Sequence, residues 1–194
     1  MYVFFLKLSR FMAYLGGGML SALILLTCLS VVGRSLNGLM HIDFMAETAP
    51  SLAAWLLGSG LGPISGDYEL IEAGIAFAIF AFLPICQISG GHATVDVFTA
   101  RLSPTKSRWL QTVIDIAFAV VLGVIAVQLL AGTISKYNSG QVTFLLEIPL
   151  WWAYALSLCG AGVAAIVGIF MAIARVVELA TGQALLPENA GADL

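Results

Sequence analysis

The sequence predicts an all-α integral membrane protein that crosses the bilayer four times. Of its 194 residues, 60% are hydrophobic and only 10% are charged, whereas a soluble domain usually carries about 25% charged residues. The chain also contains four apolar runs, and one helical span takes about 20 apolar residues. Because four spans use most of the length, we expect a single membrane domain over residues 1–194.

Hydropathy places the four spans at residues 12–33, 70–89, 109–135 and 150–174. The first run is longer than the apolar region of about 7–15 residues in a cleaved signal peptide, and it has no small-residue cleavage site. We therefore expect all four runs to be retained as transmembrane helices.

The basic residues predict the orientation of these spans. Because Lys and Arg are enriched in cytoplasmic loops, the end of the spans with more basic residues should face the cytoplasm. Both termini and the loop 90–108 are then cytoplasmic. One set of helix ends is flanked by Lys7, Arg10, Arg101, Lys106, Arg108 and Arg175, and the other by Arg34 and Lys136.

Two connecting segments are predicted to lie on the membrane surface. The insertion 38–66, on the side opposite the cytoplasm, includes an apolar stretch that is too short to cross, which favours an interfacial or re-entrant helix that contributes to partner docking. The cytoplasmic loop 90–108 has the pattern of a short amphipathic helix, with His92 and Asp96 one turn apart on its polar face. One His and one carboxylate are too few for a tetrahedral metal site, so we interpret this pair as structural; relay of a proton is the less favoured alternative.

The fourth span has clear start signals and a stripe of small residues. Pro149 suits the first turn of a helix, and Trp151 and Trp152 favour the membrane interface. A stripe of small side chains lets helices approach closely, either within this chain or against a second membrane protein. The stripe consists of Ser157, Ala161, Ala165, Gly168 and Ala172.

Charged residues at the ends of the first two spans predict a salt bridge between them. Arg34 ends the first span, and Asp67, Glu69 and Glu72 lie at the start of the second on the same side of the membrane. Acidic residues are favoured near a helix N-terminus, and the long Arg34 side chain can reach towards them.

Asp115 lies inside the third span, where an ionisable residue is a functional candidate by default. Arg108 precedes it by seven residues on nearly the same face, and Gln111 by four, so both are candidate partners. Two interpretations stay open: a structural role, within the chain or at a subunit interface, and a place in a transport pathway.

Several classes of function are disfavoured. The sequence has no P-loop, no H-E-x-x-H and no serine-nucleophile motif, so we expect neither an enzyme nor catalytic, cofactor or metal residues. His41 and His92 lie outside the apolar runs, which disfavours a haem-anchoring subunit. Eight Lys and Arg residues are too few for nucleic-acid binding.

Three motifs together resemble one known family, the DctQ-like small membrane subunit of tripartite ATP-independent periplasmic (TRAP) transporters. Residues 31–37 (VVGRSLN) resemble the pattern that ends its first span, including Arg34 and Asn37. Residues 91–98 (GHATVDVF) are similar to its segment after the second span, and residues 140–151 (GQVTFLLEIPLW) to the stretch before the fourth.

The resemblance implies a scaffold subunit in a bacterial inner membrane. It would brace a large elevator-type membrane subunit that carries small organic acids, such as dicarboxylates, with sodium, and it would help a periplasmic substrate-binding protein to dock. Sodium would bind the large subunit rather than this chain. The alternative is a self-contained, homo-oligomeric small transporter or channel with Asp115 in its pathway.

Overall fold

A computed structural model describes residues 1–40, 64–90 and 104–181, and these residues form four long helices. Each helix is long and apolar enough to cross a membrane, which confirms the prediction of an all-helical fold with four candidate spans. Within these ranges the β-type pairing is one isolated bridge, between Val142 and Pro149. The helices are α1 (Tyr2–Met40), α2 (Asp67–Ser89), α3 (Pro104–Ser139) and α4 (Trp151–Thr181).

The helices are longer than the apolar runs that predict them. α1 begins ten residues before the predicted first span, and α3 begins at Pro104, five residues before the predicted third span. Hydropathy marks only the part of a helix that matches the hydrocarbon layer, whereas backbone hydrogen bonding continues into the polar interface. The predicted surface helix with His92 and Asp96, and residues 41–63 of the insertion 38–66, lie outside the described residues.

The four helices form a row in the order α1, α2, α4, α3. α1 packs along α2, α2 packs along α4, and α4 packs along α3, while α1 and α4 touch only slightly. The two inner helices, α2 and α4, are therefore the most buried, and the outer helices α1 and α3 leave broad apolar faces uncovered. This arrangement differs from a closed four-helix bundle, in which each helix has two neighbours.

Small residues bring the two inner helices together. A Cβ atom at Gly160 would lie 2.9 Å from the Cβ of Phe80 and 3.2 Å from the backbone nitrogen of Ala81. Ala81 and Ala161 are fully buried beside this point. Close approach of backbones lets helices gain dispersion contacts where lipid provides no hydrophobic driving force, so the α2–α4 contact forms the centre of the fold.

The outer helix α1 is attached along α2 and at its own start. Gly16 faces the Ala81 side chain, and Leu23 occupies the space beside Gly74. Near the N-terminus, the Phe5 ring stacks on Phe170 of α4 with centroids 4.3 Å apart. α1 is thus held against both inner helices at one end and against α2 alone along the rest of its length.

Replacing Gly160 with alanine is expected to lower the free energy of unfolding by about 1–3 kcal/mol, because the added methyl group overpacks the α2–α4 contact. Gly162 is a matched control, since a Cβ there meets nothing within 4 Å. Gly162→Ala should leave stability unchanged or raise it by up to about 1 kcal/mol, because alanine has the higher helix propensity. Unfolding of the purified chain in detergent would measure both variants, and equal effects would contradict the close contact.

Candidate functional site

Polar side chains cluster at the two ends of the helix row, which we call the loop end and the terminal end. The loop end is where residues 140–150 connect α3 to α4. The terminal end is the opposite one, where α1 begins and α4 ends. The apolar interior of the row lies between these two polar regions.

At the loop end, residues 140–150 fold into a compact hairpin. Its two arms are joined by backbone hydrogen bonds, in which the N–H of Leu150 donates to Gln141 O and the N–H of Thr143 donates to Ile148 O, both with N···O 2.9 Å. The Thr143 hydroxyl accepts a further bond from the N–H of Ile148. The tip carries Phe144, whose side chain is 89% exposed.

Glu69 of α2 holds this hairpin in place. Its carboxylate accepts hydrogen bonds from the backbone N–H groups of Leu145 and Leu146, with N···O distances of 2.8 Å and 3.0 Å. Gly66 precedes α2 with φ of 79°, and a Cβ there would lie 2.4 Å from Cγ of Leu146. Glycine at this position therefore permits both the left-handed turn and the close approach of the hairpin.

A second contact at the loop end joins α1 to α2. The buried Ser30 hydroxyl donates to Oδ2 of Asp67 with an O···O distance of 2.5 Å. Nη2 of Arg34 lies 3.7 Å from the same oxygen, but the Arg34 side chain is 66% exposed. The predicted link between the first two spans is therefore centred on Ser30 and Asp67, with Arg34 at the rim. Glu72 is exposed on α2, and Asn37 is half-buried near the end of α1.

Ser30→Ala is expected to destabilise the chain by about 1–2 kcal/mol, because it removes a buried hydrogen bond to a charged group. Arg34→Gln should cost less than about 1 kcal/mol, since an exposed ion pair contributes little. Unfolding in detergent would compare the two variants. A larger loss from Arg34→Gln would show that the ion pair, rather than the serine, holds α1 to α2.

Aromatic residues surround the hairpin where α3 ends and α4 begins. Trp151 makes an edge contact with Tyr137 of α3 at 5.5 Å between centroids, and another with Trp152 at 6.0 Å. Pro149 stands two residues before Trp151, the first residue of α4. Such rings favour the membrane–water interface. Their position indicates that the loop end lies near one surface of the bilayer.

At the terminal end, four polar residues form what we call the three-helix polar cluster: Gln87 of α2, Asp115 of α3, and Arg175 and Glu178 of α4. Nε of Arg175 lies 3.4 Å from Oδ2 of Asp115, and Nη1 of Arg175 donates to Glu178 at 3.0 Å. The buried Gln87 amide donates to Oδ1 of Asp115 at 3.4 Å. The cluster thus connects three of the four helices.

The partner of Asp115 differs from the one considered in the sequence. Arg108, seven residues earlier on α3, has an exposed side chain, whereas the ion pair comes from Arg175 on the neighbouring helix. Periodicity relates residues on one helix, and it carries no information about which helix lies alongside. The available signal was Arg175 itself, a basic residue that directly follows the fourth apolar run.

The small-residue stripe of α4 lies inside the row. Ala161 is fully buried, and Gly168 lies against Ala119 of α3, with 3.5 Å from its Cβ position to the Ala119 Cα. The stripe therefore packs α4 within this chain. Its remaining members, Ser157, Ala165 and Ala172, are also buried.

Among the described residues, no group of three or more His, Cys, Asp or Glu side chains is placed to hold a metal ion. The polar residues instead connect helices to one another and to the hairpin. The polar contacts at both ends of the row therefore hold the helices in fixed positions relative to one another.

Four apolar helices with polar contacts at both ends define a multi-pass helical membrane protein. The family model for the DctQ component of tripartite ATP-independent periplasmic transporters matches residues 23–181, which is most of the chain. The chain therefore belongs to this family, a non-catalytic small membrane component of those transporters. The match confirms the resemblance found in the three motifs. No curated protein and no solved structure matches the chain.

Proposed function

We propose that this chain is the scaffold subunit of a TRAP transporter, and that it braces a large, sodium-coupled elevator subunit in a bacterial inner membrane. The observation that carries the proposal is that polar contacts tie the helices together at both ends of the row. Asp115 and Arg175 connect α3 to α4 at the terminal end, and Ser30 and Asp67 connect α1 to α2 at the loop end.

A row fixed at both ends suits a static support. An elevator mechanism moves one domain through the membrane, so it needs a neighbouring surface that keeps its shape. The central α2–α4 contact is formed by closely packed small residues around Gly160, and close-packed interfaces resist deformation. The outer helices meanwhile leave apolar faces on which a larger membrane subunit can pack.

The loop end is the proposed periplasmic surface, in agreement with the excess of basic residues at the opposite end. There, the hairpin 140–150 and the insertion 38–66 would help dock a periplasmic binding protein that delivers small organic acids. Sodium would bind the large subunit, so this chain itself needs no cofactor.

Purification from the native membrane in mild detergent, followed by mass spectrometry, tests the proposal. We expect a many-span membrane protein to be retained in a fixed ratio to this chain. A homo-oligomer that retains no other membrane protein would contradict the proposal and favour the alternative of a self-contained transporter with Asp115 in its pathway.

A further inference from the structure

The outer helix α3 presents a regular seam on its uncovered side. The seam residues follow one another in steps of four and three, and every one of them is exposed in the isolated chain. The opposite side of α3 is occupied, because Ala119 and Leu122 are buried against α4. The seam consists of Ala117, Val121, Val124, Gln128, Ala131 and Ser135.

The spacing of this seam is that of a helix–helix interface. Alternating steps of four and three give an average period of 3.5 residues, which keeps one face of a helix in contact with a supercoiled partner. Its small and medium side chains permit close approach between transmembrane helices. The seam therefore suits packing against a further transmembrane helix.

Gln128 lies within this seam at the depth of the hydrocarbon layer. It precedes the interfacial Tyr137 by nine residues, or about 13–14 Å along the helix axis. Its side chain is exposed, and no other described residue forms a hydrogen bond with it. Acyl chains offer no hydrogen bond, so an amide at this depth favours a protein partner over lipid.

Two other polar residues of the apolar segments, Gln87 and Thr133, have partners within the chain. The buried Gln87 amide donates to Asp115, and the Thr133 hydroxyl, five residues beyond Gln128, donates to Leu129 O of its own helix. Gln128 differs from these two residues, because its side chain is exposed and forms no hydrogen bond with another described residue. It stands at a heptad core position of the seam, where a single polar residue commonly specifies the partner and its register.

We propose that the seam of α3 packs against a transmembrane helix of the large membrane subunit, and that this helix presents a hydrogen-bonding side chain to Gln128. The inference rests on the proposed function and adds the surface through which the two subunits associate. The chain belongs to a component of a multi-part transporter, and α3 is an open edge of the row, where a further helix can be added without displacing any other.

Site-specific photo-crosslinking in the complete transporter tests the surface. A benzophenone amino acid replaces either Val124, on the seam, or Leu130, six residues later and about 120° around the helix. The two positions have similar exposure, 56% and 48%. We expect crosslinks to the large subunit from position 124 at a yield at least several-fold higher than from position 130.

Gln128→Leu tests the polar contact. In mild detergent, this variant should retain the large subunit about threefold to tenfold less well than the unmodified chain, the range expected for one interhelical hydrogen bond. Gln111→Leu is the matched control, because Gln111 is an exposed glutamine on the same helix outside the seam. It should leave retention unchanged.

The outcomes separate this proposal from the proposed function. If the unmodified chain retains the large subunit but position 124 crosslinks only to lipid, only to a second copy of this chain, or no better than position 130, the seam proposal is overturned and the scaffold role stands. Equal retention by the Gln128 and Gln111 variants would also overturn it. If the unmodified chain retains no large subunit, both proposals fail.

Discussion

Arg175→Leu is expected to lower the free energy of unfolding of the chain by about 2–4 kcal/mol, because removing the cation of a largely buried ion pair takes a favourable charge away from the carboxylates that it serves. Arg175 serves two carboxylates, those of Asp115 and Glu178, which are only 14% and 15% exposed. The variant would therefore leave two acidic groups in a region of low solvent access, at the point where α3 and α4 are joined.

Asp115→Asn provides the control for this prediction. In that variant Arg175 keeps Glu178 as a partner, so the loss of stability should be clearly smaller than for Arg175→Leu. Combining the two substitutions should recover part of the loss, because only one carboxylate is then left without its cation. Unfolding in detergent measures all three variants.

The same variants separate the two interpretations of Asp115. A structural role predicts that Asp115→Asn weakens stability or assembly while the intact complex still transports. If Asp115→Asn instead left stability and assembly unchanged and abolished transport, Asp115 would belong to a transport pathway and the scaffold account would be contradicted.

Glu69→Ala is expected to release the hairpin from α2. The carboxylate accepts two backbone hydrogen bonds, from Leu145 and Leu146, and bonds to a charged acceptor contribute about 1.5–3 kcal/mol each. Because the bond from Leu145 is exposed to solvent, we expect the two bonds together to contribute about 2–4 kcal/mol, which corresponds to amide hydrogen exchange at these residues that is faster by a factor of about 30 or more.

Glu72→Ala is the matched control, since Glu72 is an exposed acid three residues further along α2. It should leave the exchange of the two hairpin amides unchanged. Glu69→Gln should fall between the two alanine variants, because the amide keeps one acceptor oxygen but loses the charge. Equal exchange in the Glu69 and Glu72 alanine variants would show that the hairpin is held by other contacts.

The helices were predictable because each apolar run is long and continuous. A run such as residues 150–174 can be buried in only one common way, as a membrane helix, since every backbone group must find a partner within the segment. Pro149 marked the start of the fourth helix to within two residues, because proline is favoured near the start of a helix. Such signals depend only on residues close in sequence.

The order of the helices and the partners of the polar residues were not predictable in this way. Glu69 and Leu145 are 76 residues apart, and nothing local in either segment specifies the other. The Asp115–Arg175 pair likewise depends on α4 lying between α2 and α3. Hydropathy determines that a helix is buried in the membrane, but it does not distinguish a lipid neighbour from a protein neighbour.

Gln128 illustrates the same limit. A single glutamine changes the hydropathy of an apolar span very little, and by itself it does not indicate a transport pathway. The inference that Gln128 contacts a partner depends on its exposure and on its neighbours along the same face of α3. Both follow from the position of α4 on the other side of the helix.

The most direct test of the scaffold role is uptake by proteoliposomes that contain the large membrane subunit, with its binding protein and a sodium gradient supplied, in the presence and absence of this chain. The account predicts that uptake is lost or greatly reduced without the chain and returns when the chain is included during reconstitution. Full uptake by a stable large subunit alone would contradict it.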